Sequence, residues 1–271
     1  MSTLESSVQI SHPRRPIFRL ERAELLKLRK SRGVWIPTAL LTIGAIAIMY
    51  TAVELFHVYN SSKYGPAGGT VNLGHALLLM GQVAGMIAAA LVGAAAGTQD
   101  LSSGVFRDLV STGRSRARLF LARIPGGLAL LLPMMAIAYA LAAVLCVVLA
   151  GGLPTPSVTL FIKAGLYVLF SGAVVYVIAL GLGALIGSRA ATISVLIAYL
   201  LPVQAILRNI SVLGRARDGL LSPAVERLSP LPPPDPHDVL SMSLATSLIV
   251  LAFWVAIFCG LGLWRTQKRD A

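Results

Sequence analysis

Three side chains able to carry a proton or ligate a metal, Glu54, His57 and His75, lie close together in the chain. Glu54 is the single acid inside the long apolar runs, and ionisable groups within a membrane mark ion or proton paths. It falls in the last turn of its run, with His57 and His75 near the same level. The three therefore read as interfacial side chains, with a metal or substrate site on that face as the sharper alternative. Gln82 adds modest polarity to the second run. Cys146 and Cys259 lie inside different runs near opposite faces. At ~1.5 Å of rise per residue their heights differ by more than the ~7 Å that a disulfide spans between Cα atoms. They read as small apolar packing residues.

Chemistry of other kinds has no place in the chain. No G-x-x-x-x-G-K-[ST] phosphate loop occurs. Leu101-Ser-Ser-Gly-Val echoes the signature of ABC ATPases but lacks its second glycine and its glutamine. No Ser/His/Asp or Cys/His set has a catalytic context. The chain is not expected to be an enzyme.

The most informative polar stretch is 100–116, DLSSGVFRDLVSTGRSR. Ser102 or Ser103 can N-cap a short helix and Gly113 can end it. Val105, Phe106, Leu109 and Val110 then form an apolar patch over two turns. Ser115 can cap the helix that follows, with Arg116, Arg118 and Arg123 at the headgroups. Held between two spans, such a two-turn helix is a knob for a partner's socket or else rests on the bilayer. Before the first span, residues 17–32 (IFRLERAELLKLRKSR) read as an interfacial helix, with Ile17, Phe18, Leu20, Leu25 and Leu28 on one broad face. Glu21 and Glu24 interrupt that face, either as solvated charges or as a docking surface for basic groups of a cytoplasmic partner.

The elements that must position these residues follow from composition. Of 271 residues 56% are hydrophobic and 13% charged, about half the charge of a soluble domain. The apolar residues come in runs long enough to cross ~30 Å of hydrocarbon. The net charge of +12 is spread through short segments between runs, which argues against nucleic acid. Six spans are expected, at 34–56, 74–97, 125–149, 166–186, 190–207 and 239–264. The fourth and fifth are divided only by Gly187-Ser188-Arg189, a tight hairpin, since one helix over 166–207 is too long for a bilayer. Lys and Arg number 17 on one side of this arrangement and 6 on the other, so the positive-inside rule puts both termini in the cytoplasm. Trp35 and Trp264 fall at the cytoplasmic ends as anchors. A cleaved signal peptide is not expected, because the first run begins late and is too long for one.

Small residues at Gly81-x-x-x-Gly85, Gly93-x-x-x-Gly97 and Gly183-x-x-x-Gly187 allow close helix approach, within the chain or between subunits. Pro133 and Pro202 free backbone groups and can kink their helices. The loop at 208–238 holds 6 of the 15 prolines. In it Ser222-Pro223 reads as a helix start, the proline run after Leu231 as stiff chain, and Asp238 as a cap for the last span. It should form an ordered lid or re-entrant segment.

This layout resembles the type-2 permeases of ATP-binding-cassette exporters. Glu24-Leu-Leu-Lys-Leu-Arg29 looks like that family's opening helix. Residues 97–107 followed by Ser111-Thr-Gly-Arg-Ser-Arg116 are similar to its coupling segment, and residues 262–270 to its basic finish. The resemblance implies an all-α integral membrane fold: a cytoplasmic segment 1–33 with an interfacial connecting helix, a six-helix domain 34–264, and a tail 265–271. A coupling segment lies at 98–118 and an outer cap at 208–238. It implies ATPase-coupling roles for Asp100, Gly104, Val105, Phe106, Arg107, Leu109, Val110, Gly113, Arg114 and Arg116. Glu21, Glu24 and Lys27 belong to the connecting helix, and the Gly187–Arg189 turn makes a minor contact. The implied partners are separate ABC ATPase subunits, which carry the ATP and magnesium, and a second permease subunit, identical or not. The location is the cell membrane. The implied function is ATP-driven export, with walls suited to a lipophilic or amphiphilic cargo. A secondary transporter, or a membrane assembly or sensor subunit, is the alternative.

Overall fold

Apolar runs of this length satisfy their backbone in lipid only by helix formation or barrel closure. The computed structural model describes residues 18–102, 115–232 and 242–268, and contains helices and no strand among them. In chain order these are α1 (Phe18–Lys30), α2 (Arg32–Tyr59), α3 (Gly69–Asp100), α4 (Arg116–Val148), α5 (Val158–Ile186), α6 (Arg189–Asn209), a 3-10 segment (Ser211–Gly219), α7 (Leu221–Glu226) and α8 (Leu244–Lys268). Six of them, α2 to α6 and α8, are long and apolar enough to cross a membrane.

Most of these helices outrun the apolar windows read from the sequence, because caps and not hydropathy set where they begin. The Ser115 hydroxyl accepts the Arg118 N–H at 3.4 Å and starts α4, nine residues before the expected span. The Ser157 hydroxyl does the same for α5 through the Leu160 N–H, at 3.2 Å. The hairpin between α5 and α6 has the expected form. Gly187 takes φ +79° and its N–H returns to the Gly183 carbonyl at 2.8 Å. Ser188 then caps α6 through the Ala191 N–H. A left-handed glycine followed by an N-cap stops one helix and starts the next without spending a loop.

Three short π-helical turns interrupt the spans, at Leu40–Gly44 in α2, Leu79–Val83 in α3 and Tyr199–Val203 in α6. Pro202 lies inside the third, where a missing N–H favours the wider turn. By contrast α4 runs helical across Pro125 and Pro133, so the disturbance expected at Pro133 does not break its helix.

The centre of the bundle is α3 against α5. In each, 67% of the most apolar window is buried, against 17% in α2 and 11% in α8. Glycines explain the closeness. A Cβ on Gly97 would sit 2.5 Å from the Leu180 carbonyl, and one on Gly93 would overlap the Tyr176 carbonyl. On the far side of α5, a Cβ on Gly262 of α8 would lie 2.7 Å from the Gly181 carbonyl. The small-residue stripes of α3 and α5 therefore serve packing within this chain. Because the obstacle at Gly93 is backbone, Gly93→Val has to push the two central helices apart. It should cost about 1–3 kcal/mol or more. The expected result is a clear fall in the thermal midpoint of the detergent-purified protein, followed by fluorescence size exclusion. A midpoint equal to wild type would mean that this crossing is loose.

Candidate functional site

The residues expected to face a partner from α1 turn inward. Leu28 is fully buried, and Glu21, Glu24 and Lys27 lie on the same half-buried face, while Leu26 is exposed. This face packs on α4, where a Cβ on Gly126 would come within 2.6 Å of the Glu24 Cβ. Leu25 also packs on the core. The acids do not interrupt the buried face; they are part of it.

The reason is a cluster of four charges. The Lys27 ammonium lies 2.6 Å from Glu24 and 2.6 Å from Asp100 Oδ1. The Arg123 guanidinium donates to Asp100 Oδ2 at 2.7 Å and to the Gly97 carbonyl at 3.4 Å. Asp100 is 4% exposed and Arg123 2%. Two acids and two bases cancel, which is what permits such burial. Arg123 does not sit at the headgroups as its basic surroundings imply, because Asp100 holds it from across the helix pair. Its own carbonyl accepts the Tyr176 hydroxyl at 2.6 Å, and that ring lies over Gly127, where any Cβ would collide with it. The clasp thus joins α1, the last turn of α3 and α4, and reaches α5 through Tyr176.

Two more arginines fasten the same end of the bundle. The Arg116 guanidinium donates to the Gln267 carbonyl at the end of α8 at 2.9 Å, and Arg189 donates to the Gly33 carbonyl at the start of α2 at 2.6 Å. Of the coupling residues expected from sequence, Asp100 is brought into the clasp and Arg116 is tied to α8. Gly104, Val105, Phe106, Arg107, Leu109, Val110, Gly113 and Arg114 lie outside the described residues. Ser102 is the last helical residue in the continuation of α3; the short helix expected after it lies outside the described residues. Ser103 lies outside the described residues. The segment between Ser102 and Ser115 therefore leaves one clasped helix and enters another. Neither models of known protein families nor curated proteins match this chain.

At the other end Glu54, His57 and His75 are each engaged locally. Glu54 accepts the Ala67 N–H at 3.1 Å, His57 Nδ1 meets the Tyr64 carbonyl at 2.7 Å, and His75 Nδ1 lies 3.4 Å from Asn72 Oδ1. No group of three metal-ligating side chains forms among the described residues. Cys146 donates to the Gly69 carbonyl, and both cysteines are free thiols.

The proline-rich loop enters the bundle at this end. Leu221, Ser222, Pro223, Ala224 and Val225 of α7 are all buried. The helix begins two residues before the expected Ser-Pro start, with Leu220 in place of Ser222 as its N-cap. The Ser222 hydroxyl is not its cap. Instead the Ser222 N–H is taken by Gln204 Oε1 of α6 at 2.7 Å. One turn on, Arg208 of α6 pairs with Glu226 at 2.9 Å. From α8 the Ser247 hydroxyl donates to the Ala224 carbonyl, and Trp254 Nε1 donates to the Gly219 carbonyl at 3.0 Å. Arg227 reaches the Met242 carbonyl at 2.8 Å. Asp238 lies outside the described residues.

Sequence reasoning missed Arg123, Tyr176, Gln204 and Glu226. The available signal for Arg123 was a lone arginine between apolar residues on the far side of a loop from a lone Asp100. Gln204 and Arg208 carried one too, four residues apart on a helix face, matching Ser222 and Glu226.

Proposed function

We propose that this chain is the permease subunit of an ATP-driven exporter of the type-2 ATP-binding-cassette kind, paired with a second permease subunit and driven by separate ABC ATPases. The observation that carries this reading is the clasp of Glu24, Lys27, Asp100 and Arg123. A segment that takes force from a partner must be anchored rigidly at both ends, or the force is lost in bending. Residues 101–114 stand between Asp100 and α4, and the clasp binds those two elements to each other and to α1. The apolar patch of Val105, Phe106, Leu109 and Val110 is then the surface offered to the ATPase. Glu24 and Lys27 act through the clasp, as positioning groups behind it, with Glu21 one turn earlier on the same face.

In this reading the clasped end is cytoplasmic, the membrane is the cell membrane, and ATP and magnesium belong to the partner. The cargo is lipophilic or amphiphilic, since the helices are walled by aliphatic side chains. A secondary transporter needs ionisable groups along its path. Among the described residues the fully buried charged side chains are Asp100 and Arg123, both used in the clasp.

The test is co-expression with a stand-alone ABC ATPase encoded beside the gene. The two should copurify in detergent, and ATP hydrolysis should be faster in the complex than in the ATPase alone. An ATPase that neither copurifies nor changes its rate would sink the proposal.

A further inference from the structure

The clasp fixes the rotation of α1 and so decides which of its faces is left outside. Glu21, Glu24, Leu25 and Leu28 turn to the bundle. Arg22, Leu26, Arg29 and Lys30 follow one another at helical spacing on the opposite side, and all four are exposed, Leu26 by 48%. The apolar face of the helix is therefore spent on the bundle, and the free face carries three bases around one leucine. None of these bases makes an ion pair or a side-chain hydrogen bond with a described residue. The acids that could neutralise them are turned away. At this end of the bundle the described acids are Glu21, Glu24 and Asp100, and each lies on the inner side of α1 or beyond it. The chain that follows sets the height of the stripe. α1 ends at Lys30, and α2, the first helix long and apolar enough to cross a membrane, begins at Arg32 with Trp35 exposed in its first turn. An exposed Trp beside bases at the start of a span belongs at the level of the headgroups.

We propose that this outer stripe of α1 is a binding site for anionic phospholipid. Arg22, Arg29 and Lys30 hold the phosphate oxygens of the headgroup, the guanidinium groups through paired N–H donors. Leu26 reaches between them into the acyl boundary. A zwitterionic lipid offers the same phosphate, but its own ammonium competes with the bases, whereas an anionic lipid leaves the phosphate to them. Each base close to an anionic surface strengthens the attraction by about fivefold, and here three act together from a helix that the clasp keeps from turning. The site needs the membrane but not the exporter reading, and it holds whatever drives the protein.

The experiment uses the full chain in phosphatidylcholine nanodiscs, with Cys146→Ser, Cys259→Ala and Leu26→Cys, the last carrying an environment-sensitive fluorophore. Phosphatidylglycerol and phosphatidylcholine, each spin-labelled high in its acyl chain, are compared as quenchers at equal content. Phosphatidylglycerol should quench at least about fivefold more effectively. Arg29→Gln with Lys30→Gln should bring that preference close to one without lowering the thermal midpoint, since both side chains are exposed. Removing the same number of charges from the end of α8, by Arg265→Gln with Lys268→Gln, should leave the preference unchanged. Equal quenching by the two lipids, or an equal loss for the two pairs, would overturn the site. If neither lipid quenches and the copurified ATPase instead shields position 26, the face belongs to a protein partner and the lipid proposal falls.

Discussion

Arg123→Leu is expected to destabilise the protein by about 3–5 kcal/mol, the usual result of removing one member of a buried ion pair. Asp100 would stay buried at the end of α3 beside Lys27 without its guanidinium, and the Gly97 carbonyl would lose a donor. Thermal unfolding in detergent reads the change. A loss of packing volume alone makes the same mutant unstable, so the decisive measurement is the pair. Arg123→Leu combined with Asp100→Leu removes both charges and leaves Lys27 with Glu24. If the cost lies in the stranded charge, the double variant should be more stable than the single one, with a coupling of about 0.5–3 kcal/mol or more. A double variant as unstable as the sum of its parts would show that Asp100 and Arg123 do not depend on each other. The folded double variant also isolates the mechanical role. It should retain the ATPase on copurification but hydrolyse ATP without transport, because the ends of residues 101–114 are no longer joined.

The second large effect is expected at Phe106. An aromatic side chain at the centre of an apolar knob is the kind of residue that dominates an interface, and Phe106→Ala should weaken docking of the ATPase by about 1–3 kcal/mol. Phe106→Asp adds an unpaired charge to the same contact and should abolish copurification and transport while the six spans stay folded. Size exclusion and thermal midpoint, unchanged from wild type, establish the fold; the retained ATPase and its hydrolysis rate establish the coupling. If the patch merely rests on lipid, Phe106→Asp keeps its partner and its transport, and the role assigned to residues 104–113 is wrong. The clasp and Phe106 variants thus fail in different ways, one keeping the partner without work and the other losing it.

Local chemistry made much of the helical layout readable in advance. The break at Gly187 was legible because a glycine can take positive φ and the serine after it can cap. Ser115 was legible as a cap for the same local reason, and it moved the start of α4 beyond the membrane span. The face of α1 was less legible. In sequence Leu25 and Leu28 read as the apolar face of a helix resting on the membrane, whereas the fold turns that face onto the bundle and Glu24 and Lys27 join them there. A charge looks solvated until its neutralising partner is known, and that partner, Asp100, is 73 residues from Lys27. Arg123 shows the same limit. Surrounded by other arginines near a span, it reads as a headgroup contact, whereas one carboxylate from α3 is enough to draw it inside.

By itself the sequence determined the material of the protein. Six runs are long and apolar enough to cross a membrane as helices, and their small-residue stripes allow close crossings. Only the tertiary structure decided which crossings they serve, placing Gly93 and Gly97 against α5 and Gly262 against Gly181. It alone decided that Asp100, Lys27 and Arg123 share one buried cluster, and that a proline-rich loop descends between helices to pair Glu226 with Arg208. The physical reason is range. Hydropathy, caps and glycine conformations act over a few residues and are written in local order. The cost of burying a charge depends on a partner that only the packing of distant helices supplies.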